Sequence, residues 1–257
     1  MDIKIIVATH KQYKMPNDDI YLPLHVGAEG RKIIGFIGDN TGKNISIKNS
    51  FWCELTGLYW AWKNLSYDYL GLVHYRRHFM GKNKSNDKFE RIIKRNEIEK
   101  LLKETDIILP TKRHYFIETL YSHYKHTHYI EDLDKAKKIL KEKYPRYLNA
   151  FNIVMNRRCG HMFNMFIMKK ELADSYCSFI FDILFELEKQ TNPSQYDKYQ
   201  ARLYGYISEL LLDVWIEQNK LKYKEVSFIN MEKTNWLKKG SSFLRAKFFG
   251  KKYDGSF

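Results

Sequence analysis

The densest run of chemically able side chains is Gly71-Leu72-Val73-His74-Tyr75-Arg76-Arg77-His78. Its apolar front half reads as a strand, which places the polar half at the strand's carboxyl end, where open α/β sheets bind ligands. Arg76 and Arg77 there suit a diphosphate, gripped by charge-assisted, bidentate contacts. The plainer alternative is a pair of solvated surface arginines. Thr9-His10-Lys11 closes an earlier apolar run and is a second place for a nucleotide base or phosphate to meet the sheet. Gly38-Asp39-Asn40-Thr41-Gly42-Lys43-Asn44 is turn-rich, and its carboxylate and amides suit a ribose or base, or an ordinary turn. No Gly-x4-Gly-Lys-Ser/Thr or Gly-x-Gly-x-x-Gly pattern occurs, which argues against P-loop ATPases and dinucleotide-dependent dehydrogenases.

Later in the chain, Arg202, Tyr206, Glu209 and Asp213 recur at spacings of four, three and four, forming one polar stripe on a helix. The stripe is either a solvated face or a surface aimed into a cleft, with Arg202 meeting phosphate and Glu209 acting as a base. Cys159-Gly160-His161, ahead of Asn164, is a candidate turn on the acceptor side. Cys and His two residues apart do not make a nucleophile–base pair, so a thiol hydrolase is rejected. His123, His126 and His128 lie in a Tyr-rich helical stretch with no Cys or acidic cluster at metal spacing, and surface or hydrogen-bonding roles are expected. Asp132-Leu133-Asp134 matches an acid-x-acid metal signature superficially, but it opens a Lys-rich helix whose N-terminal dipole favours acids.

The elements that must position these groups alternate as in an α/β domain. Strands are expected at Ile3 to Ala8, Lys32 to Ile37, Leu70 to Tyr75, Asp106 to Leu109, Met162 to Met168 and Leu221 to Ile229. Helices are expected over Ser50 to Leu65, from an Asn96/Glu99 capping box to Glu104, from Pro145 to Asn156, and over Lys170 to Gln190 and Tyr196 to Asn219. Lys82 to Lys100 reads as a charged loop leading into a helix. With no repeat or low-complexity linker, residues 1–233 are expected to form one domain. Thr234 to Phe257 is a basic, aromatic tail suited to an anionic membrane surface or to folding back on the domain.

Composition bounds the function. The 257 residues carry a net charge of +14, and 16% are aromatic, which excludes general disorder and points to a polyanionic partner. No apolar run is long enough to span a bilayer. Three scattered cysteines and the absence of a secretory pattern in the opening residues fit a reduced, cytoplasmic protein.

Several blocks resemble a bacterial family of capsule and exopolysaccharide glycosyltransferases, long described only as a domain of unknown function. These are Thr9-His10-Lys11, Tyr21-Leu22-Pro23-Leu24-His25-Val26-Gly27-Ala28, Cys53-Glu54-Leu55-Thr56, Tyr59-Trp60-Ala61-Trp62-Lys63-Asn64 and the His74-Tyr75-Arg76-Arg77 signature. Asn164-Met165-Phe166-Ile167-Met168, Tyr199-Gln200-x-Arg202 and Gly205-Tyr206-Ile207-Ser208-Glu209 extend the likeness to roughly Ile3 to Ile229. The resemblance implies an α/β, GT-A-like fold with a mixed central sheet flanked by helices. It also implies a nucleotide-sugar donor and a lipid-linked or growing glycan acceptor. Some members are assigned as galactofuranosyltransferases, which makes UDP-galactofuranose a candidate donor.

On this basis the expected catalytic residues are Glu209, His74 and Arg76. Donor binding is expected of Thr9, His10, Lys11, Asp39, Asn49, Glu54, Tyr75, Arg77 and Arg202, and acceptor binding of His161, Asn164 and Tyr206. Asp39 and Glu54 are the next candidates for the base. No cofactor is expected, because His74-Tyr75-Arg76 stands where an acid-x-acid metal motif would be, and cationic side chains can neutralise a leaving diphosphate. The expected partners are the donor, the glycan acceptor and the inner face of the cell membrane, with no nucleic acid. The alternatives are a nucleic-acid-binding module, suited by charge and aromatics, and a non-catalytic scaffold of a polysaccharide assembly complex.

Overall fold

The structure is a computed structural model that describes residues 1–232. The tail from Thr234 to Phe257 lies outside the described residues. The chain runs through β1 (Ile3–Thr9), β2 (Tyr21–His25), β3 (Ile37–Gly38), α1 (Asn49–Trp52), α2 (Leu55–Asn64), β4 (Tyr69–His74) and β5 (Arg77–Phe79). It continues with α3 (Arg95–Leu102), β6 (Ile107–Pro110), β7 (Arg113–His114), α4 (Leu120–Thr127), α5 (Ile130–Lys143) and α6 (Leu148–Met155). The remaining elements are β8 (Cys159–Gly160), β9 (Phe166–Lys169), α7 (Lys170–Gln190), α8 (Leu203–Gln218), β10 (Lys224–Val226) and β11 (Phe228–Asn230).

Two compact units divide the described residues. The first comprises Met1–Thr111, Met162–Ser178 and Lys222–Glu232; the second comprises Lys112–His161 and Phe179–Leu221. The first holds a mixed sheet in the order β10-β6-β9-β4-β1-β2-β3, with β5 paired to β4 and β11. β1 is parallel to both β2 and β4, while β9 runs antiparallel to β4 and β6. The near-continuous apolar runs of β1 and β4 fit strands covered on both faces. Gly71 keeps β4 tightly packed, since a Cβ would stand 3.0 Å from Ile5 and 3.1 Å from Ile167 side-chain atoms. α2 packs close against β2, where a Cβ on Gly57 would come within 3.0 Å of Leu24. The second unit gathers α4, α5, α6 and α8 with the two-stranded β7–β8 sheet.

Several boundaries differ from those expected. β2 is Tyr21–His25, and only Ile37–Gly38 survives from the expected Lys32 to Ile37 strand. Gly30 and Gly35 adopt φ of 67° and 82° and break the extended backbone there, while Pro23 interrupts the strand pattern of β2. Cys53 (φ 52°) splits the expected Ser50 to Leu65 helix into α1 and α2. β9 starts at Phe166 rather than Met162 because Phe163 and Asn164 are left-handed. The capping carboxylate of α3 is Glu97, which accepts from the Lys94 amide at 3.1 Å, two residues ahead of the expected box. Asp197 accepts from the amides of Tyr199 and Gln200 and delays α8 to Leu203. A break at Ser227 divides the last strand into β10 and β11.

His78 on β5 is 0% exposed, lies edge-on to Tyr21, and neither ring nitrogen finds a hydrogen-bonding partner among the described residues. Burial pushes its pKa down to about 4. The unfolded chain therefore takes up a proton near pH 6.5 that the folded chain refuses until about pH 4, so stability falls as pH drops through that window. At ~1.4 kcal/mol per pH unit the effect approaches about 3 kcal/mol. Urea unfolding across pH 4 to 7 should show a visibly flatter profile for His78→Phe than for the wild type. Parallel profiles would mean that His78 does not drive the acid sensitivity.

Candidate functional site

Parallel pairing on both edges of β1 brings three strand ends together, with Thr9 opposite His25 and Ala8 opposite His74. The polar residues after β1 and β4 therefore emerge side by side in the first unit. Thr9 is buried, and its hydroxyl donates to the Lys11 carbonyl at 2.6 Å, closing the turn after β1. Tyr75 and Arg76 form a two-residue turn into β5, with His74 opposite Arg77. Tyr75 is the centre of the cluster. Lys11 Nζ lies 5.1 Å and Arg76 Cζ 5.4 Å from its ring centre, and the rings of His10 and Tyr13 meet it edge-on at 5.4 and 5.0 Å.

The carboxylate of Glu232 bridges the two cations, at 3.5 Å from Lys11 Nζ and 3.4 Å from Arg76 Nη1. Solvent-exposed pairs at such distances contribute little, so this carboxylate marks a place where an exchangeable anion is already accommodated. Burial, and then the charge of Glu232, raise the Tyr13 pKa above its ordinary value. The sequence reading missed Tyr13 and Glu232. Tyr13 was findable two residues after Lys11, whereas Glu232 arrives only because β11 pairs with β5.

A second set of expected residues converges on the left-handed turn at Phe163-Asn164. His74 Nε2 lies 2.6 Å from the Phe163 carbonyl, which only accepts, so Nε2 carries the proton. Asn164 donates to the Glu54 carboxylate at 2.7 Å, and both side chains are buried. The Arg77 guanidinium covers the Phe163 ring at 4.2 Å and donates to Asn230 at 3.1 Å. Arg76 meets Glu232 and Arg77 meets Asn230.

Asp39 corrects the expectation of a ribose reader or base. It is 0% exposed, accepts from the amides of Gly27 (2.9 Å) and Ala28 (3.0 Å), and receives the hydroxyls of Thr56 (2.6 Å) and Ser46. Four donors leave that carboxylate no role in proton abstraction; it ties three loops together. Asn49, expected at the donor, donates to the Cys53 carbonyl at 2.7 Å and to Thr56 at 3.2 Å, which fixes the α1–α2 break.

In the second unit, the expected polar stripe on α8 divides. Asp213 is buried and accepts from both the backbone amide and Nδ1 of His161, at 3.0 and 2.5 Å. That pair holds the carboxyl end of β8 to α8. Arg202, Tyr206 and Glu209 stay half-buried. His128 stacks on Tyr206 at 4.2 Å, Arg202 lies 5.7 Å from the same ring, and the Tyr206 hydroxyl donates to the Tyr199 carbonyl. Burial raises the Tyr115 pKa to about 12, opposed by the charge of Arg113, whose guanidinium lies 4.9 Å from the ring, and helped by that of Glu209.

His123 and His126 take the hydrogen-bonding role expected of them, and their partner is an acid. Their Nδ1 atoms lie 2.9 and 2.6 Å from the two oxygens of buried Glu118, which the sequence hides in the loop before α4. His128 instead pairs with Gln200 at 2.9 Å. Asp132 is buried beside Lys135, and burial raises its pKa, while exposed Asp134 accepts from Tyr121 at 3.0 Å. The two acids turn apart, as expected of helix-opening residues rather than of a shared metal site.

The chain is similar to a solved structure described as an apo structure of the WbbM bifunctional glycosyltransferase, with 32% identity and a TM-score of 0.84. The match covers 91% of this chain and 46% of that one, so the chain spans about half the length of that protein. The expected α/β, GT-A-like class is the fold observed. No curated protein matches the chain. Residues 4–220 match the family model described as a domain of unknown function, DUF4422, and with most of its length inside that match the chain belongs to this family.

Proposed function

We propose that the chain is a glycosyltransferase that moves a sugar from a nucleotide donor, UDP-linked, to a lipid-linked or growing glycan in capsule or exopolysaccharide synthesis. Galactofuranose is the candidate sugar. The observation that carries this reading is the pair of cations, Lys11 and Arg76, gathered on Tyr75 at adjoining ends of parallel strands and already facing a carboxylate. Similarity to a bifunctional glycosyltransferase over nearly the whole chain supports it.

In this reading the acceptor oxygen bonds to the sugar's anomeric carbon as the carbon–oxygen bond to the diphosphate breaks. The diphosphate leaves with that electron pair, and Lys11 and Arg76 stabilise its charge without a bound metal. Thr9 holds the turn that presents Lys11, and His10, Tyr13 and Tyr75 offer ring edges and faces to the nucleotide. His74, Arg77, Glu54 and Asn164 set the neighbouring turn. Arg202 belongs to the donor side, and Tyr206 and His161 to the acceptor side. For an inverting transfer, Glu209 takes the acceptor proton. Attachment to the inner membrane face would keep the enzyme near a lipid-linked acceptor.

Arg76→Ala should weaken UDP binding roughly tenfold, since a charge-assisted contact contributes about 1.5–3 kcal/mol. Glu232→Gln should have the opposite sign, tightening UDP about two- to fivefold by removing a competing carboxylate. Calorimetric titration reads both, and unchanged affinity in the two variants would remove the anion site from this cluster. Glu209→Gln should bind UDP normally yet lose transfer by about 10²-fold or more. Near-normal turnover would move the base elsewhere. Transfer that EDTA abolishes and manganese restores would overturn the metal-free assignment.

A further inference from the structure

The sheet edge at β3 carries a feature that the site does not use. Arg31 to Ile34 form a finger between Gly30 and Gly35, both left-handed. At its tip Ile33 is 90% exposed, and nearby Ile37 and Ile47 are 51% and 75% exposed. The Asp39 hub ties together the segments that flank these isoleucines. Its carboxylate binds the Gly27-Ala28 backbone and the Ser46 hydroxyl, and Ser46 Oγ also accepts from the Glu29 amide at 3.1 Å. The finger's base, the end of β3 and the turn bearing Ile47 are thereby held together.

The charges on this platform have one sign. Arg31, Lys32 and Lys43 are exposed and Lys48 is partly exposed, whereas between residues 26 and 50 the acids are Glu29 and the fully buried Asp39. Three wet isoleucines among four cations suit a surface that is both apolar and anionic. Nucleic acid would neutralise the cations, but isoleucine offers no aromatic face for a base to stack on. A second copy adding a strand would find only two residues of β3 to pair with.

We infer that this face seats on an anionic lipid bilayer, with Ile33, Ile37 and Ile47 entering the acyl boundary and Arg31, Lys32, Lys43 and Lys48 facing the headgroups. The inference rests on the membrane partner of the proposed function and names the surface that meets it. Its test reads attachment alone, so failure leaves transfer to a soluble acceptor unaffected.

The test is co-sedimentation of the full chain with vesicles of equal parts phosphatidylglycerol and phosphatidylcholine, against pure phosphatidylcholine. Binding should require the anionic lipid and fall with salt. Each removed charge in Arg31→Gln and Lys32→Gln should weaken it about fivefold. Ile33→Ser with Ile47→Ser should weaken it tenfold or more, with circular dichroism and UDP binding unchanged. Wild-type attachment by the isoleucine variant would assign the membrane contact elsewhere. Vesicle-independent self-association that the same substitutions abolish would make the partner a second copy and overturn the inference.

Discussion

Parallel hydrogen bonding on both edges of β1 is the constraint from which the site follows. Because β2 and β4 run in the same direction as β1, the polar residues that end each strand emerge at the same side of the sheet. Backbone amides and carbonyls inside a sheet must be paired, and this requirement fixes the register without reference to any ligand. Thr9, His25 and His74 are aligned by that register, and Lys11 and Arg76 meet over Tyr75 as a consequence.

Charge is arranged around this end in two ways. Buried carboxylates serve as structural ties: Asp39 takes two amides and two hydroxyls, and Glu54 takes the Asn164 side-chain amide. Glu232 is different, because its two partners are partly exposed and its bonds long. A saturated buried carboxylate is expensive to disturb, whereas a screened surface pair is readily replaced. That contrast separates the scaffold acids from the acid that marks an exchangeable position. In the second unit Asp213 and Glu118 follow the scaffold pattern, each held by histidine, while Glu209 remains half-buried.

Single-residue backbone conformations account for most of the differences between the expected and observed elements. Hydrophobic periodicity located β1, β4, β6, α6 and α7 closely, because long apolar runs report burial directly. It failed where one residue changed the path: Cys53 inside a helical pattern, and Phe163 and Asn164 inside a strand pattern, all with positive φ. Such conformations are disfavoured for these residue types and depend on tertiary partners, here the His74 and Glu54 side chains around the Phe163-Asn164 turn.

The sequence by itself determined the α/β class, the strand that carries His74-Tyr75-Arg76-Arg77 and the polar groups at its end, since these depend on local pattern and residue type. It also singled out Thr9, His10 and Lys11 as candidates. Tertiary structure alone decided their partners. Arg76 meets Glu232, 156 positions further along the chain, and Arg77 meets Asn230, 153 positions further along. Asp39 became a buried hub, and His123 and His126 acquired Glu118. The physical reason is common to all four. A side chain's chemistry is intrinsic, but its protonation, burial and availability are set by groups distant in sequence that only a paired sheet and a packed core bring within 3 or 4 Å.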